Sequence, residues 1–261
     1  MDSKLIIETI LKKYNFRNFP ENYKDSIVLV LETAKKELKE NLVSITLGGS
    51  GGKNNIIEGW SDLDIYIVLK EYDINQIKNL QRILSKNNIH IGLTIYNLYE
   101  LENDLIDFKT KIMLYEKNNY HVNPTLYGYD YFRNVSYQEV YQNDMLNYPV
   151  VLQAFKRMYI EVLNNERKID KTYIKKMLVL LKCILSNYKI FAYGYNEVLQ
   201  EFIKILYNEP HQIYFEDIIK DLENNQNYLI NISREIIEYT EKEELFKKSE
   251  NKFKSRKLQV I

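Results

Sequence analysis

A chain of 261 residues with one cysteine, three histidines and eight glycines is short of the materials that several protein classes need. Cys183 has no second cysteine to pair with, so no internal disulfide forms, and His90, His121 and His211 lie too far apart to read as a metal cluster. The cysteine sits in "MLVLLKCILS", an apolar helical run where a buried, inert thiol is the ordinary expectation. Net charge is also missing. The 36 basic residues balance 36 acidic ones, whereas a chain that lives on nucleic acid carries a net basic surface, so a large RNA or DNA partner is not favoured. No apolar run approaches the roughly 18 residues of a membrane span, which predicts no membrane partner. The stretch "MDSKLIIETILKKYNF" is too charged, and its apolar run too short, for a secretory signal; a cytoplasmic protein is expected.

What is present fits a globular protein: 45% hydrophobic and 28% charged residues, enough chain for one large domain or two modest ones. Residues 20–41 have helical spacing after Pro20 (Ile27, Leu31, Ala34, Leu38), "LVSITL" (Leu42–Leu47) and "DIYIVL" (Asp64–Leu69) read as strands, and residues 74–87 return to helical spacing. "IHIGLTIY" alternates strictly, with Ile89, Ile91, Leu93 and Ile95 on one face and His90, Gly92, Thr94 and Tyr96 on the other. Strand, loop, strand, helix, strand predicts a small mixed sheet flanked by helices. After a tyrosine-rich link without clear period (118–144), four stretches with helical spacing predict a helical bundle. The expectation is an α+β chain with a mixed-sheet domain over 1–131 and a helical domain over 132–261.

Five of the eight glycines fall within Gly48–Gly59, directly before Asp62 and Asp64, in "TLGGSGGKNNIIEGWSDLDIYIVLK". Glycines let backbone N–H groups approach phosphate oxygens and tolerate left-handed φ, and Ser50 adds a hydroxyl donor. Positions i and i+2 of a strand point the same way, so Asp62 and Asp64 are expected side by side. Two neighbouring carboxylates favour a shared cation, and Mg²⁺ is the hard cation that suits both carboxylate and phosphate. The stretch is not a P-loop, since it lacks the Gly-Lys-Ser/Thr ending. A phosphate cradle beside a divalent-cation site describes nucleoside triphosphate chemistry.

Leu47 to Leu69 resembles the signature of the DNA polymerase β-like nucleotidyltransferase superfamily: an apolar strand, Gly-Gly-Ser, a loop, then Asp-x-Asp entering a strand. The helical second half is similar in length and type to that of the small-molecule members, such as the aminoglycoside and lincosamide nucleotidyltransferases. The resemblance implies a Mg²⁺- or Mn²⁺-dependent enzyme of adenylyltransferase type. It would move a nucleoside monophosphate from an NTP, ATP being the expected one, to a hydroxyl of a small-molecule acceptor, antibiotics among them. Gly48, Gly49 and Ser50 would hold the triphosphate, and Asp62 and Asp64 the metal.

The family adds a third carboxylate on the neighbouring strand; the polar face of Ile89–Tyr96 has none. Three alternatives follow. His90 acts as base, its imidazole being suited to that task; an acid just past the strand, Glu100 or Glu102, reaches the site; or the chain binds nucleotide as a regulatory protein without transferring anything. A transferase acting on tRNA or protein is a further variant. No histidine follows an arginine at the Arg-x4–6-His spacing of the RNases found beside some family members. Trp60 as a stacking platform, Lys109 as a phosphate contact, and Tyr193 and Tyr195 as acceptor-pocket residues complete the candidates.

Overall fold

Short acidic or amide side chains decide where several helices begin. Asp2 accepts from the Lys4 N–H to open α1 (Ser3–Lys13), Asp73 caps α4 (Ile74–Leu84), and Asp107 caps α6 (Phe108–Tyr120). Each accepts an N–H that the first helical turn leaves without an intrahelical partner. α2 (Glu21–Leu38) starts instead on Pro20, whose fixed φ and missing N–H suit a helix entrance. In this computed structural model the described residues are 2–192, 194–207 and 214–242.

Between the helices run β1 (Leu42–Gly48), a single helical turn α3 (Gly49–Gly52), β2 (Leu63–Leu69), β3 (Ile91–Asn97), α5 (Leu98–Glu102) and β4 (Thr125–Gly128). The four strands form one mixed sheet in the order β3-β2-β1-β4. β1 is antiparallel to both β2 and β4, whereas β2 and β3 are parallel. A parallel pair needs a crossover, and α4 provides it. The alternating residues Ile45 and Leu47 of β1 and Leu63, Ile65, Ile67 and Leu69 of β2 are fully buried against α1, α2 and α4. Each such side chain contributes roughly 1.5–3 kcal/mol by leaving water, so this face anchors the fold. The opposite face carries Ser44, Thr46, Asp64, Tyr66, Thr94 and Tyr96 and is where polar chemistry is possible.

The expected α+β architecture is present, with refinements. The third strand begins at Ile91, so His90 stands just ahead of it, and the tyrosine-rich link contains an unexpected fourth strand and the start of a long helix. The chain divides into two compact units, Met1–Val140 and Tyr141–Ile261, a division that falls inside α7 (Tyr137–Leu163).

The second unit continues with α8 (Lys171–Asn187), α9 (Tyr195–Tyr207), α10 (Phe215–Lys220) and α11 (Gln226–Lys242). α8 has a broad buried face: Ile174, Met177, Leu178, Leu181, Ile184 and Leu185 recur at helical spacing and are buried, with Cys183 fully enclosed among them. The Tyr173 hydroxyl donates to Ser233 Oγ at 2.8 Å, tying α8 to α11. Among the described residues no helix is long and apolar enough to cross a membrane.

Candidate functional site

The register of the sheet puts Gly48, Asp64 and Gly92 in one row, Asp64 on β2 paired with Gly48 of β1 and with Gly92 of β3. Asp64 therefore stands on the polar face between two positions that have no side chain. The left-handed Gly49 (φ +59°) closes in from the strand end. A Cβ on Gly49 would lie 2.0 Å from Asp64 Oδ2, and one on Gly92 would lie 3.5 Å from Oδ1. Only glycine permits this approach of backbone to carboxylate.

α6 lies along the polar face and supplies the charge. Lys109 Nζ donates to Asp64 Oδ1 at 2.6 Å, with Lys109 61% and Asp64 24% exposed. Further along, Glu116 is 3% exposed and accepts from Lys53 Nζ at 3.1 Å, and Lys117 donates to Thr125 Oγ1 and pairs with Asp130. Burial pulls the Lys117 ammonium below its usual pKa, opposed by Asp130. The fully buried Asn123 donates to the Met113 carbonyl, and its N–H donates to the Gly52 carbonyl at 2.7 Å, so the segment entering β4 fastens the glycine turn. A Cβ on Gly52 would lie 2.2 Å from Asn123 Oδ1.

Two tyrosines sit under the acids. The Tyr96 hydroxyl donates to Asp107 Oδ2 at 2.6 Å, and burial first, then this carboxylate, pushes its pKa up to about 12. Tyr66 is buried next to Asp64, and its hydroxyl has no hydrogen-bond partner; burial, then the charge of Asp64, holds it neutral far above its usual range. Sequence reasoning missed Asp107 and Glu116 because they reach this face only through the packing of α6; Tyr66 lies two residues after Asp64 on β2, and strand alternation would have found it.

The loop between α3 and β2 is pinned rather than open. Ser61 Oγ accepts from the Ile57 N–H, and the Tyr23 hydroxyl donates to the Ser61 carbonyl at 2.7 Å. The pKa of Tyr23 is raised by burial and then by the charges of Asp62 and Glu58, which places both acids at this end of the sheet. Asp62 is half-buried one residue ahead of β2. His90, exposed, occupies the matching position ahead of β3, and its carbonyl accepts from the Leu63 N–H at 2.9 Å. Gly48, Gly49, Ser50, Asp62, Asp64 and His90 are thus brought to one end of the sheet.

Glu100 is not among them. The strands run parallel from Asp64/Gly92 to Leu69/Asn97, which at about 3.3 Å per residue is about 16 Å. Glu100 lies beyond that far end, where its carboxylate accepts from the Asn97 N–H and the Asn97 side chain accepts from the Glu100 N–H. The structure therefore corrects the expectation that this acid reaches the site: Glu100 closes a capping box. Glu102 is exposed at the end of the same helix. Trp60 is 7% exposed and belongs to the interior, not to a stacking platform. Tyr195 opens α9 and packs on Phe215 with ring centroids 5.0 Å apart, while Tyr193 and His211 lie outside the described residues. A pocket of about 220 Å³ lined by Tyr72, Ile77, Gln81, Ile91, Leu93 and Ile95 lies on the outer edge of the sheet, on the face away from Asp64.

Among the described residues no three His, Cys, Asp or Glu side chains gather to hold a metal ion. The Asp62 and Asp64 carboxylates suit a Mg²⁺ that arrives with phosphate oxygens and keeps some of its water, since Mg²⁺ is commonly bound through one or two carboxylates plus substrate phosphates. They do not suit a metal held by protein alone. With Gly92 opposite Asp64, β3 adds no carboxylate.

No protein-family model and no curated protein matches the sequence. The structure is similar to that of spectinomycin adenyltransferase AAD(9) from Enterococcus faecialis, solved with ATP and spectinomycin: 18% sequence identity, TM-score 0.41, covering 80% of this chain and 98% of that one.

Proposed function

We propose that the first unit binds a nucleoside triphosphate with Mg²⁺ and transfers its nucleoside monophosphate to the hydroxyl of a small molecule. The observation that carries this reading is the row Gly48–Asp64–Gly92 with the left-handed Gly49 folded onto Asp64. It sets bare backbone beside a carboxylate at the end of a strand, which suits a triphosphate and the cation that accompanies it. In the transfer, the acceptor oxygen bonds to the α-phosphorus, the bond to the bridging oxygen breaks, pyrophosphate leaves, and the hydroxyl proton passes to a base. Mg²⁺ would offset charge on the phosphoryl oxygens, with Asp62 and Asp64 holding it. His90, exposed just ahead of β3, would take the proton. The balanced charge of the chain and its helical second unit support a small acceptor over a nucleic acid.

A second reading, nucleotide binding without transfer, is favoured by Gly92 standing where a third carboxylate would project and by Lys109 on Asp64. Pyrophosphate release separates the two. Each NTP is assayed with Mg²⁺ against hydroxylated acceptors, aminoglycosides and lincosamides included, and binding is followed by thermal shift. A ligand at a hundredfold over its Kd stabilises the folded state by about 2.7 kcal/mol. The transferase reading requires release that falls at least about a hundredfold in Asp62→Asn and Asp64→Asn, the scale of losing electrostatic stabilisation at the transferred group. A thermal shift with no release under any acceptor supports the second reading, and no shift with any NTP refutes both.

A further inference from the structure

The two oxygens of Asp64 have different neighbours. Oδ2 faces the backbone at Gly49, and Oδ1 accepts from Lys109 Nζ at 2.6 Å. The lysine comes from the first turn of α6, a helix fixed on the same polar face by Tyr96 with Asp107 and Thr110 and by Lys117 with Thr125. Its ammonium therefore sits beside the acid because its helix is anchored at several other points. Gly92 leaves the space next to Oδ1 without a competing side chain. Lys109 remains 61% exposed, and an ammonium has three donors, so the one spent on Asp64 leaves two.

We infer that Lys109 is the resident cation of this site: it offsets Asp64 and donates to a bound triphosphate, so that nucleotide binding does not require a divalent cation even though transfer does. The inference rests on the proposed nucleotide site and adds a residue to it. A tetraanionic triphosphate next to uncompensated carboxylates is repelled, and a cation must stand between them. In an acid pair lacking such a lysine that cation is the metal alone. Here one positive charge is part of the chain, at hydrogen-bond distance from Asp64. Lysine serves phosphate as a compact point charge with three donors, and it can bridge the carboxylate and a phosphate oxygen at once.

The test is calorimetric titration of the full chain with each of the four NTPs, at fixed ionic strength, once in EDTA and once in Mg²⁺. The wild type is expected to bind its preferred NTP in both, with Kd values within about tenfold of each other, and Lys109→Met to bind at least about tenfold more weakly in EDTA, the scale of one charge-assisted hydrogen bond. Mg²⁺ is expected to restore part of that loss, and Lys109→Arg to stay within about threefold of the wild type because it keeps the charge. The exposure of Lys109 leaves little folding penalty in either variant, which melting temperatures without nucleotide check. Wild-type binding that needs Mg²⁺ overturns the inference while leaving the nucleotide site intact. So does Lys109→Met binding unchanged in EDTA, or tighter in Mg²⁺, which marks the lysine as a competitor of the metal. Absence of binding in both buffers overturns the inference together with the nucleotide site on which it rests.

Discussion

Gly49 and Gly59 both have left-handed φ, +59° and +74°, on the same stretch between β1 and β2, yet they meet different surroundings. A Cβ on Gly59 has nothing within 4 Å; one on Gly49 would lie 2.0 Å from Asp64 Oδ2, 2.9 Å from Cγ and 3.1 Å from Cβ. Alanine at either position carries the backbone cost of about 1–2 kcal/mol. At Gly49 the methyl group must also displace the Asp64 carboxylate, an overpacking cost of about 1–3 kcal/mol. The Lys109–Asp64 pair breaks as well, but it is exposed and adds under about 1 kcal/mol. Gly59→Ala is thus expected to lose about 1–2 kcal/mol and to keep nucleotide affinity, whereas Gly49→Ala loses about 2–6 kcal/mol and binding with it. Urea denaturation gives the stabilities, and calorimetric titration with NTP gives the affinities. Equal stability losses with binding intact in both variants would refute the close approach of Gly49 to Asp64 as the basis of the site.

The neighbouring tyrosines predict opposite signs. Tyr66→Phe removes a buried hydroxyl that has no partner and is expected to be neutral or stabilising by up to about 1 kcal/mol, while Tyr96→Phe takes a donor from Asp107 and costs about 1–2 kcal/mol, both read from denaturation midpoints. Glu116→Ala removes a carboxylate, 3% exposed, that accepts from Lys53, and is expected to cost about 1–3 kcal/mol, with the melting temperature as readout. In the second unit, burial raises Asp144 to about 6, opposed by a hydrogen bond from Ser186 and the charge of Lys182. A raised carboxyl binds more protons folded than unfolded between about pH 4 and 6, so stability falls as pH rises through that window, by roughly 2–3 kcal/mol in all. Asp144→Asn should flatten that slope and be the more stable protein at pH 7; an unchanged slope would show that Asp144 is not its source.

Strands β1 to β3 were legible because their apolar residues alternate or run continuously between polar boundaries. β4 was not: four residues between Pro124 and Tyr129, with Tyr127 and Gly128 exposed, give no period, and the strand exists because β1 accepts it. The glycine turn and Asp64 were legible for the same local reason as the strands. Lys109 was visible only as one helix lysine among many, since the pairing that gives it a role spans 45 positions. Glu100 was misassigned although its true role is local. Asn97 followed three residues later by a glutamate is a capping-box pattern, and that hydrogen-bonding demand of α5 takes the carboxylate.

The sheet order also fixes when the site can exist during folding. β1 meets β2 and β2 meets β3 across short spans of chain, but β4 reaches β1 only by bringing Gly128 back to Ser44. Loop-closure entropy makes such distant pairings late, after the local ones can repay them. Asn123, whose N–H holds the Gly52 carbonyl, arrives with that last strand, as does the Thr125 contact to α6. A ribosome-bound chain that has emerged only through β3 therefore has the acids and the glycine turn without the Asn123 segment that fastens that turn. The proposed nucleotide site is complete only when the segment after α6 folds back across β1.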